Sequence, residues 1–300
     1  MIREHIVCAY LHVITKYGYP PPADGTHRYL NEMRALGFSN VELEGIREKH
    51  LMEMYTQRDS IKRHLRDLNL QVPVYCTVLP GLSSIDAQER KKQIELFKYG
   101  CETASTLGAN YILDNCPIAP FQFPGEIPII RHYDDDILAK AILPGDFAWS
   151  LFYSMLVEVY QSLCNIASDH GLTYLMHPAV GTLCATPEAF HSFYDDVQCD
   201  NLGYNFDTAN LIALRQNLSL ALHQLHGLIP YIHISDTLVD KHQHLPLGKG
   251  CIDWQVFFDQ LRDMEYDGFL GIDIGGSESE IGDLNHAYRA ALNQVESYLA

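Results

Sequence analysis

"YIHISDT", Tyr231–Thr237, is the stretch on which the fold reading turns. Successive residues of a strand point to opposite faces, so Ile232 and Ile234 share one face while Tyr231, His233 and Ser235 share the other. An apolar face suits packing under helices, and the opposite face then has to accommodate a histidine. The same division recurs elsewhere. In "FLGIDIG", Leu270, Ile272 and Ile274 oppose Gly271, Asp273 and Gly275; in "NVELEG", Val41 and Leu43 oppose Glu42 and Glu44. "GYNFDT" sets Asn205 and Asp207 against Tyr204 and Phe206, and "TYLMHP" sets Thr173, Leu175 and His177 against Tyr174 and Met176. Five strands therefore carry polar or ionisable groups on what would be an inner face.

Working outward, short apolar runs alternate with longer amphipathic segments, the pattern of a parallel sheet with crossover helices. The predicted strands cover 5–11, 40–45, 71–78, 109–115, 172–177, 202–207, 231–235 and 269–274. Helical segments such as "SIKRHLRDLN" and "SLFYSMLVEVYQSLCNIASDHG" lie between them, and Gly37, Gly108, Gly171 and Gly268 are expected to stop helices ahead of the next strand. Eight βα units predict a closed (β/α)8 TIM barrel occupying residues 1–300 as one domain, with an insertion over about 116–146 after the fourth strand. The competing arrangement is an open doubly wound sheet, but no G-x-G-x-x-G follows the first strand. The insertion is proline-rich and too long for an ordinary connection. It is expected either to cover the barrel mouth, bringing Arg131 and His132 to an anionic substrate, or to contact another subunit of a homo-oligomer.

A formal charge of −17, from 21 Lys and Arg against 38 Asp and Glu, would repel a phosphate backbone and argues against a nucleic-acid partner. No run approaches the ~20 apolar residues of a membrane span, and the start lacks the pattern of a secretory signal, so the expectation is a cytoplasmic protein without a membrane partner. The eight cysteines form no C-x-x-C pair and read as reduced thiols, with Cys8, Cys76 and Cys164 in the core.

Burying several titratable groups inside a barrel is costly unless they are paired or bind a cation. His177, Asp207, His233 and Asp273 end strands five to eight. Two imidazoles and two carboxylates form a donor set suited to one divalent ion: Mn, Co, Zn or Mg.

With these residues in hand, "GFSNVELEG", "FDTAN", "IHISD", "HLPLGKGCIDW" and "GIDI" resemble the strand-end signatures of the xylose isomerase-like barrels, the sugar phosphate isomerase/epimerase superfamily. The resemblance runs from about Gly37 to Gly276. It implies a TIM barrel with one divalent metal at the C-terminal mouth and a small-molecule sugar, polyol or sugar-acid substrate, with Asp207, His233 and Asp273 at metal-ligand positions. Isomerases and epimerases of this group usually carry glutamate at the fifth and eighth strands, where this chain has His177 and Asp273, so their two-glutamate proton shuttle is missing. The run "HPAVGT" at 177–182 is similar instead to a segment of inosose dehydratases, which makes a carbon–oxygen lyase the second reading.

These readings share removal of a proton beside a carbonyl through a metal-stabilised enediolate. The expected bases are Glu42, Glu44 and His244. The histidine-rich turn "DKHQH" also offers a second donor set with Asp240 and His242. His12, Asn210, Asp236, Lys249 and Arg131 are the expected substrate contacts, although Asp236 also suits a hydrogen bond to a ring nitrogen or to backbone, and His12 a place in the core. Two further classes use the same barrel. An apurinic endonuclease would need a glutamate where His177 stands and a basic surface, and a non-catalytic sugar-binding barrel would need no metal.

Overall fold

The computed structural model describes residues 2–123 and 135–300; Arg131 and His132 lie outside the described residues. Within them, nine parallel strands form one sheet: β1 (Ile6–Cys8), β2 (Asn40–Val41), β3 (Leu43–Ile46), β4 (Val74–Val78), β5 (Tyr111–Asn115), β6 (Thr173–His177), β7 (Leu202–Asp207), β8 (Tyr231–Ile234) and β9 (Phe269–Ile272). The strand order is β2-β1-β9-β8-β7-β6-β5-β4-β3. Its two end members are consecutive in the chain and separated only by Glu42. Asn40 and Val41 pair with Val7 and Cys8, while Leu43 to Ile46 pair with Tyr75 to Val78, so the sheet closes on itself. The predicted second strand is thus one stave broken at Glu42, and the architecture is the expected (β/α)8 barrel with helices outside.

Strands β4, β7 and β8 are buried along their whole length. That is the consequence of closing a parallel sheet under helices, which leaves neither face to solvent. Cys8, Cys76 and Cys164 are buried as expected, and so is Cys116 in its loop.

Three local expectations need correction. The first strand ends at Cys8 rather than Leu11, because Val13 and Ile14 donate back to the Tyr10 carbonyl and start the helix Leu11–Tyr17. The helix predicted from Ser60 begins at Arg47 and runs to Leu68, since Leu51, Met54, Ile61 and Leu65 form one buried stripe at helical spacing. Gly37, Gly108 and Gly171 do adopt positive φ, but Gly268 does not. The preceding helix stops on a left-handed Glu265, and Gly268 serves a close approach, since a Cβ there would lie 2.5 Å from the Pro230 carbonyl oxygen.

The insertion folds back through an antiparallel bridge between Gln122 and Ile142, and Ile118 bridges to Thr182 in the loop after β6. Its short helix Asp135–Leu138 places the Leu138 side chain against Gly181. The described part of the insertion therefore rests on the loop that follows His177.

Candidate metal centre

The C-terminal ends of the strands surround a cleft of about 60 Å³. The inward face of each contributing strand sets its lining. β6 supplies His177 and β8 supplies His233; Asp273 follows β9; and the broken second stave supplies Glu42 and Glu44. Cys76, Val78, Leu113 and Asn115 from β4 and β5 form the opposite wall.

The four strand-end residues singled out as metal ligands converge. His177 Nε2 lies 3.9 Å from Asp207 Oδ2, His233 Nδ1 lies 3.7 Å from the same oxygen, and His233 Nδ1 lies 4.0 Å from Asp273 Oδ2. Two triads emerge, His177–Asp207–His233 and Asp207–His244–Asp273, each with its donor atoms within 4.8 Å of one another. Asp207 belongs to both. Its Oδ1 accepts the Asn210 N–H at the start of the next helix, whereas its fully buried Oδ2 has no hydrogen-bond partner among the described residues. A buried carboxylate oxygen left without a donor is costly, and a cation would satisfy it. The donor set is the mixture of imidazole and carboxylate that divalent ions take, so the residues present fit such an ion.

The electrostatics favour positive charge at this cluster. Burial alone would raise the Asp207 carboxyl, but His233, His244 and His177 outweigh it and hold Asp207 well below the usual carboxylate range. Burial likewise disfavours a charged His233 ring, yet Glu42, Asp273 and Asp207 together push it up.

Glu42 is buried and fully engaged. It accepts the Tyr10 N–H at 3.2 Å, the Tyr231 hydroxyl at 2.9 Å and His233 Nε2 at 2.9 Å. Burial opposes its charge, but His233 and these donors bring its carboxyl below the ordinary range. In the neutral ring with its proton on Nε2 facing Glu42, the His233 Nδ1 lone pair faces Asp207 and Asp273. Glu44, next on the same face, is only half-buried and lines the open cleft.

Asn210 lines the cleft as expected. Its amide lies 3.2 Å from His177 Nε2 and 2.8 Å from the Pro178 carbonyl, while its oxygen accepts from His242 Nε2 at 2.5 Å. Three other expected substrate contacts are placed elsewhere. His12 sits in the first helix rather than at a strand end, fully buried, 3.0 Å from Asn285 Oδ1 and edge-on to Tyr288. Asp236 is fully buried and both its oxygens are used: Oδ1 by the N–H groups of Thr237 and Ile252, Oδ2 by Gly248 N–H and the Trp254 indole. Asp236 therefore braces the loop 236–254 through backbone and indole rather than a ring nitrogen of histidine. Lys249 is exposed and does not line the cleft. Asp240 is also exposed and belongs to neither donor triad, so the second set suggested with His242 is not assembled among the described residues.

Two residues were not assigned from sequence. Asn205 sits between the rings, its amide 2.7 Å from His177 Nδ1 and 3.1 Å from His233 Nδ1. Its place on the inner face of β7 was the available signal. Glu278, in a single turn of 3-10 helix after β9, lies 3.2 Å from His244 Nδ1 and has no periodic pattern to announce it.

Barrel and C-terminal cleft together define a (β/α)8 protein with a possible His/Asp metal site at its mouth. The chain belongs to the xylose isomerase-like TIM barrel family, whose model matches residues 30–297. It is 24% identical over 204 residues to an uncharacterized protein of Methanocaldococcus jannaschii; the match takes in 64% of this chain and 59% of that protein's length. Among solved structures, a D-allulose 3-epimerase from Methylomonas sp. superposes with a TM-score of 0.74 at 16% identity, covering 98% of this chain and 97% of that one. A 3-keto-D-glucoside 4-epimerase from E. coli gives 0.71 at 16%, covering 91% and 95%, and a probable 3-DHS dehydratase from Bacillus anthracis gives 0.71 at 16%, covering 97% and 98%. At these identities the structural likeness speaks for the fold.

Proposed function

We propose that this chain is a divalent-metal-dependent sugar or polyol isomerase or epimerase that removes a proton beside a substrate carbonyl. The observation that carries the reading is that His177 and His233 on one side and Asp273 on the other gather around Asp207, whose buried Oδ2 has no hydrogen-bond donor among the described residues. The family supports it, as do a D-allulose 3-epimerase and a 3-keto-D-glucoside 4-epimerase among the structures of the same fold. When bound, a divalent ion supplies electrostatic stabilisation to negative charge developing on the substrate oxygens. His233 is held in one tautomer by Glu42, and His177 is oriented by Asn205 and Asn210. Glu44 is the carboxylate best placed to move the carbon-bound proton, because it faces the cleft while Glu42 is consumed by three donors. Asn210 and His242, joined to each other, both line the cleft that a substrate would enter.

A carbon–oxygen lyase is the second reading. It is favoured by the presence of His177 where a second glutamate of a proton shuttle would stand, by the "HPAVGT" segment beside it, and by a dehydratase among the structures of this fold. The test is incubation of the protein with Mn or Co and a panel of ketoses and keto-polyols in deuterium oxide, followed by NMR. Deuterium entering the carbon beside the carbonyl, with a new stereoisomer or aldose, is the expected result. Exchange accompanied by loss of water selects the lyase, and no exchange with any member of the panel overturns proton abstraction.

A further inference from the structure

His244 stands apart from the four strand-end ligands, since it comes from the loop after β8. It is 1% exposed. Its Nε2 has no hydrogen-bond partner among the described residues and lies 3.7 Å from Asp273 Oδ2, and with Asp207 and Asp273 it completes the second donor triad. A separation of 3.7 Å is too long for a hydrogen bond. It is close to the span between two ligands of one ion with bonds of about 2.0–2.2 Å.

Everything behind the ring fixes that orientation. Glu278 Oε1 lies 3.2 Å from Nδ1, so a proton on Nδ1 leaves the Nε2 lone pair directed at the carboxylates. The His244 backbone N–H donates to Ser279 Oγ at 2.8 Å, and its carbonyl accepts from Gly275 N–H at 3.0 Å. The loop following β9 therefore grips His244 by both its main chain and its ring. A general base would turn its free nitrogen towards substrate; here that nitrogen faces Asp273.

Resting on the metal-dependent reading above, we propose that His244 is a fifth donor to the cation through Nε2, making a centre of three imidazoles and two carboxylates that selects cobalt or zinc over magnesium. Imidazole-rich sites favour later first-row ions, whereas magnesium prefers an all-oxygen shell with retained water. Glu278 is the positioning residue for His244, in the way that Glu42 is for His233.

The test is calorimetric titration of metal-stripped protein with cobalt(II) and with magnesium, together with the visible spectrum of the cobalt protein. The wild type is compared with His244→Gln, His244→Ala and Glu278→Gln, each checked for native circular dichroism. The wild type should bind cobalt, and millimolar magnesium should fail to compete. A folded His244 variant should bind cobalt at least about tenfold more weakly and with altered d–d bands, and Glu278→Gln should lose about tenfold with the bands preserved. If neither His244 variant folds, Glu278→Gln decides. Unchanged affinity and spectrum in a folded His244 variant, unchanged affinity in Glu278→Gln, or magnesium competing on equal terms overturns the proposal. A wild type that binds no divalent ion overturns the metal-dependent reading itself.

Discussion

Replacing Glu42 by glutamine keeps the side-chain volume but removes the charge that faces His233 Nε2. Three donors now converge on this carboxylate: Tyr10 N–H at 3.2 Å, the Tyr231 hydroxyl at 2.9 Å and His233 Nε2 at 2.9 Å. Glutamine offers one carbonyl oxygen and an NH2 group, so at least one donor is left facing another donor. The Tyr231 hydroxyl can rotate to accept. With the amide oxygen kept on the Tyr10 N–H, the NH2 faces His233, which relieves the conflict by moving its proton to Nδ1, the atom 3.7 Å from Asp207 Oδ2 and 4.0 Å from Asp273 Oδ2. That tautomer has no lone pair to offer a cation. Loss of a carboxylate behind a ligating histidine typically costs about 10–100-fold in metal affinity, or about 1.4–2.8 kcal/mol. The cost to folding is smaller than the loss of hydrogen bonds to a charge would suggest, because a buried charge disappears with them. Calorimetry with cobalt(II) or manganese on wild-type and Glu42→Gln protein, alongside urea unfolding of both without metal, separates the two effects. A folded Glu42→Gln protein that binds metal within twofold of wild type would refute the idea that Glu42 orients His233.

Three other perturbations are informative. Asp207→Asn should reduce divalent-metal affinity by at least about 100-fold, because Asp207 is common to both donor triads, and equilibrium dialysis reads the loss directly. His50 is buried, accepts the Ile46 N–H on Nδ1, and is lowered by burial from 6.5 to about 4. The unfolded chain therefore takes up its proton first as pH falls. Stability from a neutral His50 is fully present above about pH 6.5 and declines towards pH 4, at about 1.4 kcal/mol per pH unit and about 3 kcal/mol in all. Urea unfolding at pH 7 and pH 4.5 should show this decline in wild type and a flatter profile in His50→Leu; equal slopes would remove His50 as the cause. Gly250→Ala should loosen the loop 236–254, since its Cβ would lie 2.3 Å from both Asp236 Oδ1 and the Thr237 carbonyl oxygen. We expect a loss of about 1–3 kcal/mol with faster amide exchange over that loop, and native exchange rates there would contradict the role given to Asp236.

The barrel and the identities of four converging residues could be read from the chain because both follow from period-two alternation. Once His177, Asp207, His233 and Asp273 lie on the inner face at the ends of consecutive staves, closure brings them to one place. Side chains outside that pattern were harder to read. Glu42 and Glu44 share a face in sequence, yet the break between β2 and β3 sends Glu42 into a buried contact with Tyr231 and His233, about 190 residues away, and leaves Glu44 in the cleft. The first strand reads three residues too long in sequence because the helical hydrogen bonds that end β1 depend on the Tyr10 carbonyl, not on any break in hydrophobicity.

The sequence by itself determined the closed parallel barrel and the inward donor set, since alternation and helix-to-strand rhythm are local properties. Only the tertiary structure decided the duties of the remaining polar residues. It tied Asp236 to four donors in its own loop, withdrew His12 to the core, and set Glu278 behind His244. The physical reason is that a polar side chain's role depends on which of its atoms remain unsatisfied after burial. Partners brought together by ring closure decide that, and they can lie anywhere along the chain.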